Sequence, residues 1–66
     1  MITGYIMGEN SYIIEFITQG RYVKVTAIDP VTGREATIVG DPRENNELLK
    51  RNAIKKLKFL MNKPIL

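Results

Sequence analysis

At 66 residues the chain is one small domain, and it contains neither cysteine nor histidine. That excludes disulfides, thiolate metal sites and the imidazole used for metal binding and acid–base chemistry. Ten basic and seven acidic side chains leave a net charge of +3, too modest by itself to demand a polyanionic partner.

Residues 1–10 read as an N-terminal arm or an edge strand, with Tyr5-Ile6-Met7 as its apolar part. The start, Met1-Ile2-Thr3-Gly4-Tyr5, lacks the basic and apolar regions of a secretory signal, and no apolar stretch reaches membrane-spanning length. A cytoplasmic location with no membrane association is the expectation. From Ser11 the pattern has period two: Tyr12, Ile14 and Phe16 alternate with Ile13, Glu15 and Ile17, as in a half-buried strand. Gln19-Gly20 is then the two-residue turn, which pairs Phe16 with Val23, Ile14 with Val25 and Glu15 with Lys24. Tyr22 to Asp29 alternates again. Asp29-Pro30-Val31-Thr32-Gly33 carries strong turn chemistry, because Asp caps through its side chain, Pro presets φ and Gly fits a left-handed exit. Glu35 to Val39 follows as a strand, with Ala36 opposite Ala27 and Ile38 opposite Val25.

The helix begins near Asp41-Pro42-Arg43-Glu44, whose spacing suits a capping box with Pro at the first helical position. The weak helix formers Asn45-Asn46 also allow regular helix to start only there. Leu49, Ala53, Leu57 and Leu60, flanked by Ile54 and Met61, form an apolar stripe wide enough to cover a sheet. Pro64 marks the stop, and 64–66 read as a frayed tail. The predicted architecture is an α+β domain over 11–63, a three-stranded antiparallel sheet with a possible extra N-terminal strand and one C-terminal helix on one face. Its predicted core is Tyr12, Ile14, Phe16, Val23, Val25, Ala27, Ile38, Leu49, Ala53, Leu57 and Leu60.

Nothing in the sequence assembles a catalytic group, and no enzymatic activity, cofactor or metal is expected. Asp29, Asp41 and Glu44 have turns or a helix start to cap, and Ser11, the single serine, has no histidine to activate it. The glycines are spread over turns and form no phosphate loop.

Two surfaces remain. One helix covers one face of a sheet, so the other face carries Ile13, Ile17, Tyr22, Ile28 and Val39 among polar residues. Leu48 and Phe59 lie off the core stripe of the helix. Contiguous apolar surface marks interfaces. A 66-residue chain also buries a small share of its surface, so a partner subunit is the remaining way to stabilise it. These arguments predict a homodimer, or another protein partner, docked through the uncovered face with Leu48 and Phe59 contributing. The second surface is charged. Residues 1–47 carry four bases and seven acids, whereas residues 48–66 carry six bases and no acid. Arg51, Lys55 and Lys58 share one arc opposite the apolar stripe, and with Lys24 they are the candidate contacts of a nucleic-acid binder, the second choice of function. Cations late in a helix also complement its dipole, which is the simpler explanation of their placement.

The run Gly20-Arg21-Tyr22-Val23-Lys24-Val25-Thr26-Ala27-Ile28-Asp29-Pro30-Val31-Thr32-Gly33-Arg34-Glu35, after Glu15-Phe16 and before Ala53-Ile54-Lys55-Lys56-Leu57, resembles a family of short uncharacterised bacterial proteins, mostly alphaproteobacterial. The resemblance covers about three quarters of the chain. It implies a stand-alone domain of unknown function and supplies no activity or catalytic residue. In architecture, three strands and a helix with a D-P-x-T-G hairpin are similar to the arm-binding domains of tyrosine integrases and to plant three-stranded DNA-binding domains. Those read DNA through the sheet face opposite the helix, where this chain offers Ile13, Ile17 and Tyr22, with Lys24 as the clear cation.

Overall fold

The computed structural model describes the backbone course of residues 2–7 and all of residues 12–62. The elements run β1 (Ile2–Met7), β2 (Ile13–Gln19), β3 (Tyr22–Ile28), β4 (Glu35–Gly40) and α1 (Asn46–Met61). The four strands form an antiparallel meander in the order β1-β2-β3-β4. The β-β-β-α unit expected from the sequence is therefore present, with an additional strand at its N-terminal edge. The tail 64–66 lies outside the described residues.

Turn chemistry sets the registers. The β2–β3 loop is Gly20-Arg21 rather than Gln19-Gly20, because Gln19 pairs with Tyr22. Gly20 takes φ +60° at the first loop position, as the primed hairpin turns require. Every pair in this hairpin consequently shifts by two residues. Phe16 stands opposite Val25, Ile14 opposite Ala27, and Glu15 opposite Thr26 instead of Lys24. A slip of two preserves the alternation of sides, so each residue keeps its expected face. The β3–β4 register is as read from the sequence, with Ala27 opposite Ala36 and Val25 opposite Ile38. Here Asp29 specifies the turn. Its Oδ1 accepts from Val31 N at 2.9 Å, its carbonyl accepts from Gly33 N at 2.8 Å, and its own N–H donates to Arg34 O at 2.9 Å.

Of the two helix starts the sequence allows, the later one, at Asn45-Asn46, is observed. Asp41 and Glu44 form an Asx turn and one bond of a capping box: Asp41 Oδ1 accepts from Arg43 N at 2.8 Å, and Glu44 Oε1 accepts from Asp41 N at 3.0 Å. They close a turn, not a helix. Asn45 is extended, with φ −62° and ψ 127°, and becomes the N-cap itself by accepting from Glu47 N at 2.7 Å. The helix then ends at Asn62, whose N–H reaches Lys58 O at 3.0 Å.

α1 lies against β3 and β4. Small residues explain the position: Ala27 and Ala36 face each other on those strands, Gly40 closes β4, and Ala53 is the fully buried point of the helix. Together they let the helix backbone approach the sheet. The larger Tyr12, just before β2, and Ile14 and Phe16 of β2 fill the flank beside it. Ile14, Val25, Leu49 and Leu57 are the largest fully buried side chains, each worth roughly 1.5 to 3 kcal/mol of burial. All expected core residues pack in this cluster, joined by Ala36, Ile54 and Met61.

Candidate interaction surface

The sheet face away from α1 is organised in cross-strand rows. Ile13 pairs with Ile28, which pairs with Glu35; Glu15 with Thr26 and Thr37; Ile17 with Lys24 and Val39; Gln19 with Tyr22. The five face residues expected from the sequence, Ile13, Ile17, Tyr22, Ile28 and Val39, therefore do share one face, since side chains two apart along a strand point the same way.

They are divided into two groups. Ile13 and Ile28 stand side by side at one end, both half-buried. Towards the other end Ile17 and Val39 flank Lys24, with Tyr22 beyond them. Val39 is 65 % exposed and Tyr22 40 %, with the Tyr22 hydroxyl donating to Gln19 Oε1 at 3.1 Å. Between the groups runs the polar row, in which Thr26 and Thr37 join their Oγ1 atoms at 2.8 Å. That bond satisfies the buried Thr26 hydroxyl within the sheet and leaves the row flat. Rows two apart lie about 13 Å from one another. A partner that spans both groups therefore crosses a polar stripe whose threonine hydroxyls are already engaged.

Leu48 and Phe59 do not join this face. They are 45 % and 67 % exposed on α1, which packs with Leu49, Ala53, Ile54 and Leu57 against the other side of the sheet. Core and sheet stand between them and Val39, so a single flat partner cannot touch both sets. Lys24 is separated from Arg51, Lys55 and Lys58 for the same reason: alternation turns it away from Val23 and Val25, towards the face without the helix.

The cations of α1 are not equivalent. Lys50 pairs with Glu47 at 3.0 Å and is largely covered, with 15 % of its side chain exposed. Lys56 Nζ donates to the Thr37 carbonyl on β4 at 2.7 Å. The side chains of Arg51, Lys55 and Lys58 make no hydrogen bond or ion pair among the described residues. The ridge expected from the sequence is thus the set of helix cations left uncommitted.

A depression of about 450 Å³ at the Gly20-Arg21 end of the sheet, which the sequence did not suggest, is lined by Arg21, Asp41, Pro42 and Arg43. Arg43 holds Asp41 through Nη2–Oδ2 at 2.7 Å and Nε–Oδ1 at 3.1 Å. That guanidinium, and the Arg43 backbone N–H, keep the Asp41 carboxyl below the ordinary carboxylate value; Asp41 in turn raises Arg43. The Asp-x-Arg spacing was the available signal. The arrangement stiffens the turn before α1.

Residues 9–64 match the model of a family described as a domain of unknown function, DUF6898. The chain belongs to this family. The DUF6898 match spans β2, β3, β4 and α1, and β1 precedes it. Comparison with curated proteins and with solved structures gave no match. Within the DUF6898 domain, the run from Val23 to Gly33 has a structural explanation for most of its residues. Val23, Val25 and Ala27 are core, Thr26 bonds Thr37, and Asp29 and Gly33 make the turn. Lys24 is the member of that run with no packing or turn role, and it stands between Ile17 and Val39 on the open face.

Proposed function

We propose that this domain is a non-enzymatic interaction module that meets an apolar partner surface, in the first place that of a second copy, through the sheet face away from α1. The observation that carries the reading is the grouping of Ile17, Val39 and Tyr22 around Lys24 on the face that α1 does not cover. A partner there would bury branched and aromatic side chains held rigid by the sheet, which lose little freedom on binding. Leu48 and Phe59 drop out of this interface, because they belong to the opposite layer. The resemblance of the Val23–Gly33 run to short bacterial proteins supports a bacterial source.

The test is concentration-dependent methyl chemical shifts. Self-association through this face moves the Ile13, Ile17, Ile28 and Val39 signals together and leaves the Leu48 signals unchanged. Movement confined to Leu48, or none at all up to high concentration, contradicts the reading.

A second reading is favoured by one observation, the three uncommitted cations Arg51, Lys55 and Lys58. They would contact the backbone of a nucleic acid without reading its bases. The mark of that function is affinity that falls steeply with salt.

A further inference from the structure

The two edges of the sheet differ in how they are guarded. At β4 the Lys56 ammonium caps the Thr37 carbonyl at 2.7 Å and α1 packs alongside, so another strand would have to displace both. At β1 the register from Ile2↔Thr18 to Met7↔Ile13 uses one side of the strand. Peptide groups alternate in direction along a strand, so about half of those in β1 point away from β2. Native edges are commonly blunted by charge, proline or a bulge. Ile2-Thr3-Gly4-Tyr5-Ile6-Met7 has no acidic or basic side chain and no proline, and it pairs with β2 without a bulge.

We propose that the outer edge of β1 pairs antiparallel with β1 of a second copy, joining the two four-stranded sheets into one. Row upon row of backbone donors and acceptors specifies a strand as the occupant, and charge selects a second copy. Each chain carries +3, and an approach through α1 sets Arg51, Lys55 and Lys58 against their own copies. Across β1 and β2 the single acidic or basic side chain is Glu15, so two identical chains meet there with little repulsion. An antiparallel self-pairing is isologous and closes after two chains. It also leaves the face bearing Ile17 and Val39 open in both copies, so the edge does not compete with the face proposed above and does not depend on it.

The test is amide hydrogen exchange along β1 together with solution mass, on the unmodified chain and on Ile17→Glu, in which association through the face is removed. Edge pairing gives Ile17→Glu a mass of twice the 7.5 kDa chain. It also gives consecutive protection from Thr3 to Met7 in both proteins. A single-chain mass for Ile17→Glu, or protection that alternates along β1 in the unmodified chain, overturns the proposal. Tyr5→Lys sets like charges against each other at the joined edges. It is expected to return the Ile17→Glu protein to one chain while β3 and α1 amides stay protected. A two-chain mass that survives Tyr5→Lys with those amides protected also overturns it. Loss of face association alone moves the methyl shifts and leaves the β1 amides unaffected, so the two proposals fail separately.

Discussion

Leu49 occupies the space in which a side chain at position 40 would stand: a Cβ built on Gly40 comes 2.5 Å from Leu49 Cδ2. Leu49 is 2 % exposed and belongs to the core, so it has little room to retreat. The last residue of β4 is therefore glycine for reasons of packing against the first turns of α1. Gly40→Ala is expected to destabilise by about 1 to 3 kcal/mol, the usual cost of overpacking. Thermal unfolding would register this as a fall of several degrees. Introduced into Leu49→Ala, the same change should cost far less, because the clash is gone. Equal costs in both backgrounds would show that the helix does not sit where the structure has it.

Gly20 is held at φ +60° with open space around it. No clash forbids a larger residue there, so the penalty for Gly20→Ala is the backbone conformation alone, roughly 1 to 2 kcal/mol. Gly20→Asn should recover part of it, since Asn tolerates the left-handed region better. Denaturant midpoints of the three proteins would rank Gly, Asn, Ala. If Gly20→Ala unfolds like the native chain, the positive φ at Gly20 is contradicted.

The pairing of Asp41 with Arg43 predicts a pH dependence. The folded carboxyl titrates below its unfolded value, so its contribution to stability is complete above about pH 4 and is lost as pH falls through the folded value. Asp41→Asn removes that contribution. Melting temperatures of the two proteins should differ most near neutrality and converge in acid. Parallel curves down to the lowest pH would mean that the exposed pair contributes nothing, as exposed pairs often do.

Charge reversal separates the two functional readings. Changing Arg51, Lys55 and Lys58 to Glu should keep the fold, at the modest cost of acids late in the helix, since none of the three side chains holds a hydrogen bond among the described residues. It should also leave self-association intact. If the chain binds nucleic acid through the ridge, the same substitution abolishes that binding, and titrations of native protein show a salt-dependent constant. Binding that persists in the triple variant would remove the ridge from consideration.

Much of the fold was legible because several independent signals agree. The Asp29 to Gly33 turn leaves a bulge at Gly33 open in the sequence, and the side-chain and backbone bonds of Asp29 and Gly33 fix the register with Ala27 opposite Ala36. Gln19-Gly20-Arg21 admits two registers, because a glycine serves at either loop position, and the sequence reading took the wrong one. Parity protected the faces from that error, so the core and the open sheet face were still assigned correctly. The helix start left two places open, and the later one, at Asn45-Asn46, is observed. Glu44 does return the capping-box bond to Asp41 N, but one extended residue, Asn45, detaches that turn from the helix. The grouping of surface residues was the least legible part. Whether Phe59 lies beside Val39 depends on which side of the sheet the helix takes, a tertiary fact that no local pattern carries.

The most direct measurement is solution mass by light scattering, at low and high salt, on the native chain freed of nucleic acid and on Ile17→Glu. An interaction module with an apolar sheet face predicts a native mass above one chain that persists in high salt, and a smaller mass for Ile17→Glu with its fold retained. A native mass of one 7.5 kDa chain at every salt concentration, unchanged by Ile17→Glu, would contradict it.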